Sequence, residues 1–352
     1  MAGVFRFLLA ILVVVFHLVP AAFVGHWGPF AVYSFYLLSG YLMTLVLHRT
    51  YGFTLLGGGR FAVNRVLRLF PTYYGVCLIS LALLAGYGGA MTAFHAALRF
   101  PADGRSVLAN LLLVPQLYWY EVRLAPPTWS LAVELVCYAA LWLWVARSAR
   151  LAWLTAGATA AYTAYLIATG AAFPVRYTAL FTSLLPFALG AVAFLHRDQL
   201  LAWCNGRVRL VVILLFVVNL FAAPTLFRKD PLLWPFYGNV LLTFLVTPFA
   251  VDVRLPGGRL RDLDDWAGRL TYPVFLAHYP VAFAVHQLIG GPSRSLLLCL
   301  LTLPPLLAVS YLLCRYVEMP VERWRARVRT GRLTTPVEAS PGEWAGGERK
   351  AA

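Results

Sequence analysis

Apolar residues run through this chain in blocks of roughly 20, divided by short polar stretches rich in arginine. Neither the two-residue period of a half-buried strand nor the single stripe of an amphipathic soluble helix describes these blocks. They are apolar all round, as in a helix set in lipid or among other helices. An α-helix rises 1.5 Å per residue, so about 20 residues cross the hydrocarbon of a bilayer. Blocks of that kind fall at 4–24, 29–49, 67–87, 129–147, 151–170, 177–196, 208–224, 233–251, 270–289 and 294–316. The pattern predicts an all-α integral membrane protein of about ten transmembrane helices. It forms one domain over 1–324, followed by a disordered cytoplasmic tail over 325–352.

Composition agrees with that reading and removes one alternative. Hydrophobic residues make up 61% of the chain and charged residues 12%, outside the range of a soluble domain. A net charge of +15 would suit a nucleic-acid binder, but its distribution follows topology. With the N-terminus inside, the outward segments hold only Arg99, Arg105, Arg123, Arg176, Arg228, Lys229 and Arg294. All other basic residues fall on the inner side, which places both termini in the cytoplasm and leaves no call for nucleic acid. The first block resembles a secretory signal, but His17 interrupts it and more spans follow at once, so it reads as a retained helix. The five cysteines (Cys77, Cys137, Cys204, Cys299, Cys314) show no paired spacing and read as packing residues. No metal site is expected.

One connection is long. The outward stretch from Gly88 to Thr128 carries Phe94-His95 and the run Tyr118-Trp119-Tyr120. A loop of that length is usually functional or disordered, and its aromatics argue against disorder. They fit either an interfacial belt or a binding surface for a flat, sugar-like acceptor. Residues 107–118 are apolar but short for a span, so a re-entrant or surface-lying segment is expected there.

Polar groups inside the apolar blocks are costly and mark functional candidates. Arg6 and His17 lie eleven residues apart, within about 20° of one helix face and roughly 16 Å along the axis. That puts a guanidinium at the cytoplasmic boundary and an imidazole near mid-membrane. Each also has a plain reading, as an inside-positive anchor and as a satisfied core histidine. Arg65 and Arg68 share a face just before the third block, which Pro71 opens. Paired guanidinium forks there suit a phosphate, though they serve topology as well. Glu134 stands inside the fourth block and needs a partner from another helix or from a bound molecule. Ser39-Gly40 interrupts the second block, where glycine permits close helix approach. His278 falls at the depth of His17, so the two could face one cavity.

Taken in order, these residues resemble the membrane-bound acyltransferase family 3, which includes O-acetyltransferases of bacterial O-antigens and exopolysaccharides and some macrolide acyltransferases. The resemblance runs from Arg6 to Pro320. It rests on Arg6-x10-His17, the stretch Val32 to Leu42 with Ser39-Gly40, and Asn64-Arg65-x-x-Arg68-Leu69-Phe70-Pro71. It rests further on Thr128-Trp129-Ser130-Leu131-x-x-Glu134-x-x-x-Tyr138, the Tyr272–His278 segment, and Glu318-Met319-Pro320. Two positions depart from the family pattern, Tyr33–Tyr36 before Ser39 and Cys137 before Tyr138. No extracytoplasmic hydrolase-like domain follows the last block, so a second step performed by such a domain is expected to need a separate protein.

The resemblance implies a membrane acyltransferase domain over 1–324 in the inner (plasma) membrane. It would move an acyl group, most simply acetyl, from cytoplasmic acetyl-CoA or another acyl-CoA to a saccharide or lipid-linked glycan, with polysaccharide-synthesis machinery among the implied partners. Arg6, Arg65 and Arg68 would hold the CoA phosphates. His17 would act as general base or transient acyl carrier, oriented with the acceptor by Glu134 and His278. Ser39, Trp119, Trp129 and Tyr138 are the candidate substrate contacts. A proton-coupled transporter or flippase also carries His and Glu on broken helices, and inverted repeats would favour it. A scaffold of a polysaccharide-synthesis complex is a third reading, in which His17 and Glu134 tolerate substitution.

Overall fold

The structure, a computed structural model, describes residues 1–20, 24–119, 121–204, 206–226, 230, 232–252 and 257–330. Tyr120, Arg228, Lys229, Arg254 and the tail from 331 onward lie outside the described residues. Among the described residues the chain is all-helical, without strands. In chain order the helices are α1 (Ala2–Leu18), α2 (Trp27–Val46), α3 (Leu55–Tyr87), α4 (Gly89–Phe94), α5 (Gly104–Leu112), α6 (Trp129–Leu143), α7 (Ala149–Ala168) and α8 (Phe173–Thr178). They continue with α9 (Leu180–Leu195), α10 (Arg197–Trp203), α11 (Gly206–Leu226), α12 (Trp234–Asp252), α13 (Arg259–Ile289), α14 (Leu296–Leu313) and α15 (Met319–Thr330).

Each of the ten expected apolar blocks overlaps a helix, though the first runs beyond the end of α1 at Leu18. Among the described residues, five helical stretches are long and apolar enough to cross a membrane: Trp27–Tyr51, Leu55–Tyr87, Ala149–Ala168, Trp234–Asp252 and Leu296–Thr330. A sixth appears if α9 and α10, bent by 77°, form one broken span, and α1 is a shorter apolar helix.

α1 lies at the centre, packed between α13 and α2. α2 in turn packs on α9 and α12, while α13 packs on α14 and α3, and α15 lies along α3. Two crossings are set by glycine. A Cβ on Gly40 of α2 would lie 2.2 Å from the Phe187 carbonyl oxygen of α9, and one on Gly190 of α9 would lie 2.2 Å from the Leu37 oxygen. Backbone cannot retreat as a flexible side chain can, so these helices touch only because both positions lack Cβ. Gly3 and Gly268 do the same for α1 and α13. Gly190→Ala is therefore expected to destabilise the detergent-solubilised protein by about 1–3 kcal/mol. A lowered thermal midpoint checks this, and an unchanged midpoint would mean that the helices part at no cost.

Three features differ from the sequence expectation. α3 begins at Leu55, twelve residues before the expected block, and Pro71 lies inside it. Its first turn contains Gly57-Gly58-Gly59, weak helix formers that read as loop. Tertiary contact overrides that propensity: Gly58 lies under the Trp142 ring and Thr54 Oγ1 accepts from the Gly57 N–H at 3.1 Å. α15 continues to Thr330, six residues into the segment expected to be a disordered tail. It leaves α14 through a π-helical turn, Cys314–Glu318, that carries Glu318 toward α3. The long outward stretch is ordered over its described residues. α5 starts at a capping box between Asp103 and Ser106, buries Ser106, Ala109 and Asn110, and exposes Val107, Leu108, Leu111 and Leu112. Residues 124–128 are buried throughout, so the start of α6 is covered by the rest of the protein.

Candidate functional site

α1 is anchored by a carboxylate of another helix. Asp264 of α13 accepts from the Val4 N–H at 2.8 Å and pairs with the terminal ammonium at 3.3 Å, where the helix dipole favours negative charge. This contact, with the glycine crossing beside it, sets α1 against α13. Arg6 then lines a cavity of the protein, and His17 joins a histidine cluster apart from it.

The cavity, of about 230 Å³, lies between α1, α2, α3, α6, α13 and α15. Arg6, Arg65, Arg68 and Arg325 line it, together with Glu134, Ser39, Tyr138 and Tyr272. Arg68 donates to Glu318 at 2.7 Å, and Glu318 also accepts from Thr72 Oγ1 at 3.1 Å. Arg65 donates to Asn64 Oδ1 at 2.7 Å, while Arg325 pairs with Glu322 and donates to the same Asn64 oxygen at 3.4 Å. The Nε atoms of Arg65 and Arg325 are buried without an acceptor. Buried donors of this kind cost free energy unless something accepts from them, and oxygen-rich anions do so well. The cavity thus offers buried guanidinium donors to an oxygen-rich anion.

Glu134 belongs to this cavity. It accepts from Ser39 Oγ at 2.6 Å and from the Tyr138 hydroxyl one turn along α6. Its charge acts on Arg6. The sequence reading grouped it with His17 and His278, whereas the structure places it among the arginines, with Ser39 of α2 as its partner from another helix.

The histidines form a separate cluster that does not line this cavity. His17 Nδ1 and His278 Nε2 lie 3.0 Å apart, with the rings nearly parallel at 8°. His278 is fully buried, and its Nδ1 lies 2.7 Å from the Phe275 carbonyl oxygen. A carbonyl can only accept, so Nδ1 of His278 carries a proton. In the neutral ring its Nε2 is then a lone pair, which must accept from Nδ1–H of His17. That order leaves the lone pair of neutral His17 on Nε2, outside the pair and open to a proton. Phe275 links the histidine pair to the cavity, for its carbonyl fixes His278 while the residue lines the arginine cavity.

The aromatic candidates lie elsewhere. Trp129 packs edge-on to Tyr177 at 5.3 Å, within a cluster containing Tyr33, Phe173 and Phe236. Trp119 is part-exposed beneath the Arg105 guanidinium at 5.8 Å. Neither lines the arginine cavity, whereas Ser39 and Tyr138 do. Sequence reasoning missed Arg325, which lay in the supposed tail. It also missed Tyr272 and Phe275 as cavity residues, although both stand in the motif that carried His278.

An all-helical apolar bundle with an arginine-lined cavity and a buried histidine pair is the frame in which a membrane enzyme could bring an anionic donor to a base. A family model described as an acyltransferase domain matches residues 3–315. The chain belongs to acyltransferase family 3 and is a membrane acyltransferase. Comparison with curated proteins and with solved structures returns no match.

Proposed function

We propose that the protein transfers an acyl group, acetyl in the simplest case, from cytoplasmic acyl-CoA to a hydroxyl of a saccharide or glycan-like acceptor outside the inner membrane. About ten spans with both termini in the cytoplasm provide the frame. One observation carries the reading: a single helix, α1, presents Arg6 to the arginine cavity and holds His17 in contact with the buried His278. The CoA phosphates bind Arg65, Arg68, Arg325 and Arg6. The pantetheine arm follows α1 over roughly 16 Å toward His17, passing Phe275. His17 Nε2 takes the proton of the acceptor hydroxyl as its oxygen attacks the thioester carbonyl. The new C–O bond forms, the C–S bond breaks, and protonated His17 returns the proton to the departing thiolate. His278 is a positioning residue that fixes the tautomer of His17, and Glu134 holds Ser39 and Tyr138 in place beside the donor.

The test is release of CoA thiol and of labelled acetyl product from acetyl-CoA, using purified protein in nanodiscs with a membrane glycan fraction. Arg65→Ala and Arg325→Ala should each raise the donor KM by about tenfold with little change in kcat, since a charge-assisted hydrogen bond to phosphate is lost from binding alone. Absence of acetyl-CoA consumption by well-folded wild type would move the assignment toward a transporter.

A further inference from the structure

A second cavity, of about 210 Å³, lies between α13, α14 and the turn that leads into α15. It shares no lining residue with the arginine cavity. Leu270 and Cys314 form its buried floor, and the exposed rings of Trp266 and Tyr311 stand at its rim. Arg269, at the end of the polar part of α13, and Arg315, on the π-helical turn, both line it and both are exposed. Packing of α14 on α13 brings the two guanidiniums to one cavity.

The cavity opens onto an apolar track. Leu297, Leu301, Pro304, Ala308 and Tyr311 of α14 are all exposed, and their spacing of three and four residues puts them on one face of the helix. Four residues after Tyr311 that face ends at Arg315. Apolar helix faces that give way to Trp, Tyr and Arg mark the level of a membrane–water interface. Asp264, five residues before Arg269, holds the N-terminal ammonium, so this is the end of the bundle proposed to face the cytoplasm.

The protein itself gives these guanidiniums little to hold. Arg315 has the Met319 sulfur 4.0 Å away, and a thioether is a weak acceptor. Arg269 makes no hydrogen bond or ion pair among the described residues. Carboxylates close in sequence are engaged elsewhere: Asp264 with the terminal ammonium, Glu318 with Arg68 and Glu322 with Arg325. Asp265, one turn before Arg269, is exposed and does not line the cavity.

Two guanidinium forks over an apolar floor, at the head of an exposed apolar stripe, complement a phosphate that carries acyl chains. A soluble phosphate would need neither the rings nor the stripe, and an uncharged lipid would need no arginines. We infer that this cavity binds the headgroup of an anionic phospholipid, its phosphate on Arg269 and Arg315 and its acyl chains along the stripe of α14. A headgroup held there bridges α13 to the same turn that Glu318 fastens to α3. Such a site is independent of the acyl-transfer reading.

Lipid binding to the purified full chain can be counted by native mass spectrometry in detergent, with phosphatidylglycerol, phosphatidylcholine and soluble glycerol phosphate as probes. Phosphatidylglycerol should bind at least about tenfold more tightly than phosphatidylcholine, and Arg269→Gln and Arg315→Gln should each weaken it about fivefold. Arg315→Lys keeps the charge and should retain more of that affinity than Arg315→Gln. Arg259→Gln removes an exposed charge of α13 that does not line the cavity, and should leave the preference intact. Because both cavity arginines are exposed, thermal midpoints without added lipid should stay near wild type, which separates lost binding from lost folding. No binding of phosphatidylglycerol, equal binding of the two lipids, or an equal effect of Arg259→Gln would overturn the inference. Displacement of phosphatidylglycerol by glycerol phosphate at similar concentration would overturn it as well, since the acyl chains would then contribute nothing.

Discussion

His17→Ala is expected to lower acyl transfer by roughly 10²–10⁴-fold while leaving the thermal midpoint close to wild type. The size follows from losing the positioned base, and the mild effect on folding follows from the partial exposure of His17 at the end of α1. His278 gives the sharper test, because it acts through His17. His278→Ala removes the acceptor for His17 Nδ1–H, so the imidazole can turn or change tautomer, and kcat should fall about 10- to 100-fold with the donor KM little changed. His278→Gln offers an amide oxygen near the lost Nε2 and should recover much of that loss. A residue that only fills space would move stability and KM together and would gain nothing from an oxygen acceptor. Near wild-type transfer by folded His17→Ala protein would end the role given to this pair.

The sequence already placed Arg6 and His17 on one stripe of one helix, because eleven residues nearly complete three turns. It also located His278, since an ionisable group within an apolar block is conspicuous. Where it failed, the missing information was tertiary. Glu134 was grouped with the histidines because its partners, Ser39 and the arginines, come from other helices. The third block was expected from 67, whereas α3 begins at Leu55, where Gly58 packs against the Trp142 ring. Arg325 was set aside as tail because its neighbours are polar, yet α15 brings it back to Asn64 and the cavity. His17 and His278 meet across 261 residues, a separation no spacing rule can join.

The ion pair between Arg68 and Glu318 separates the structural from the donor-binding role of the cavity. Both groups are mostly shielded, with side-chain exposures of 19% and 9%, and the pair fastens the π-helical turn before α15 to α3. Removing either partner strands the other. Each single substitution should therefore destabilise by about 3 kcal/mol, the lower end for a broken buried pair. The two variants should part in their kinetics. Arg68→Ala loses a phosphate contact, so its donor KM should rise about tenfold or more. Glu318→Gln leaves the guanidinium in the cavity and frees it from competition by a carboxylate, so its donor KM should stay level or fall. Thermal midpoints with and without CoA resolve the same point: CoA should recover part of the stability lost by Glu318→Gln, since phosphate replaces the missing carboxylate, and little of that lost by Arg68→Ala. Identical KM changes in the two variants would mean that Arg68 serves the fold alone, leaving the phosphates to Arg6, Arg65 and Arg325.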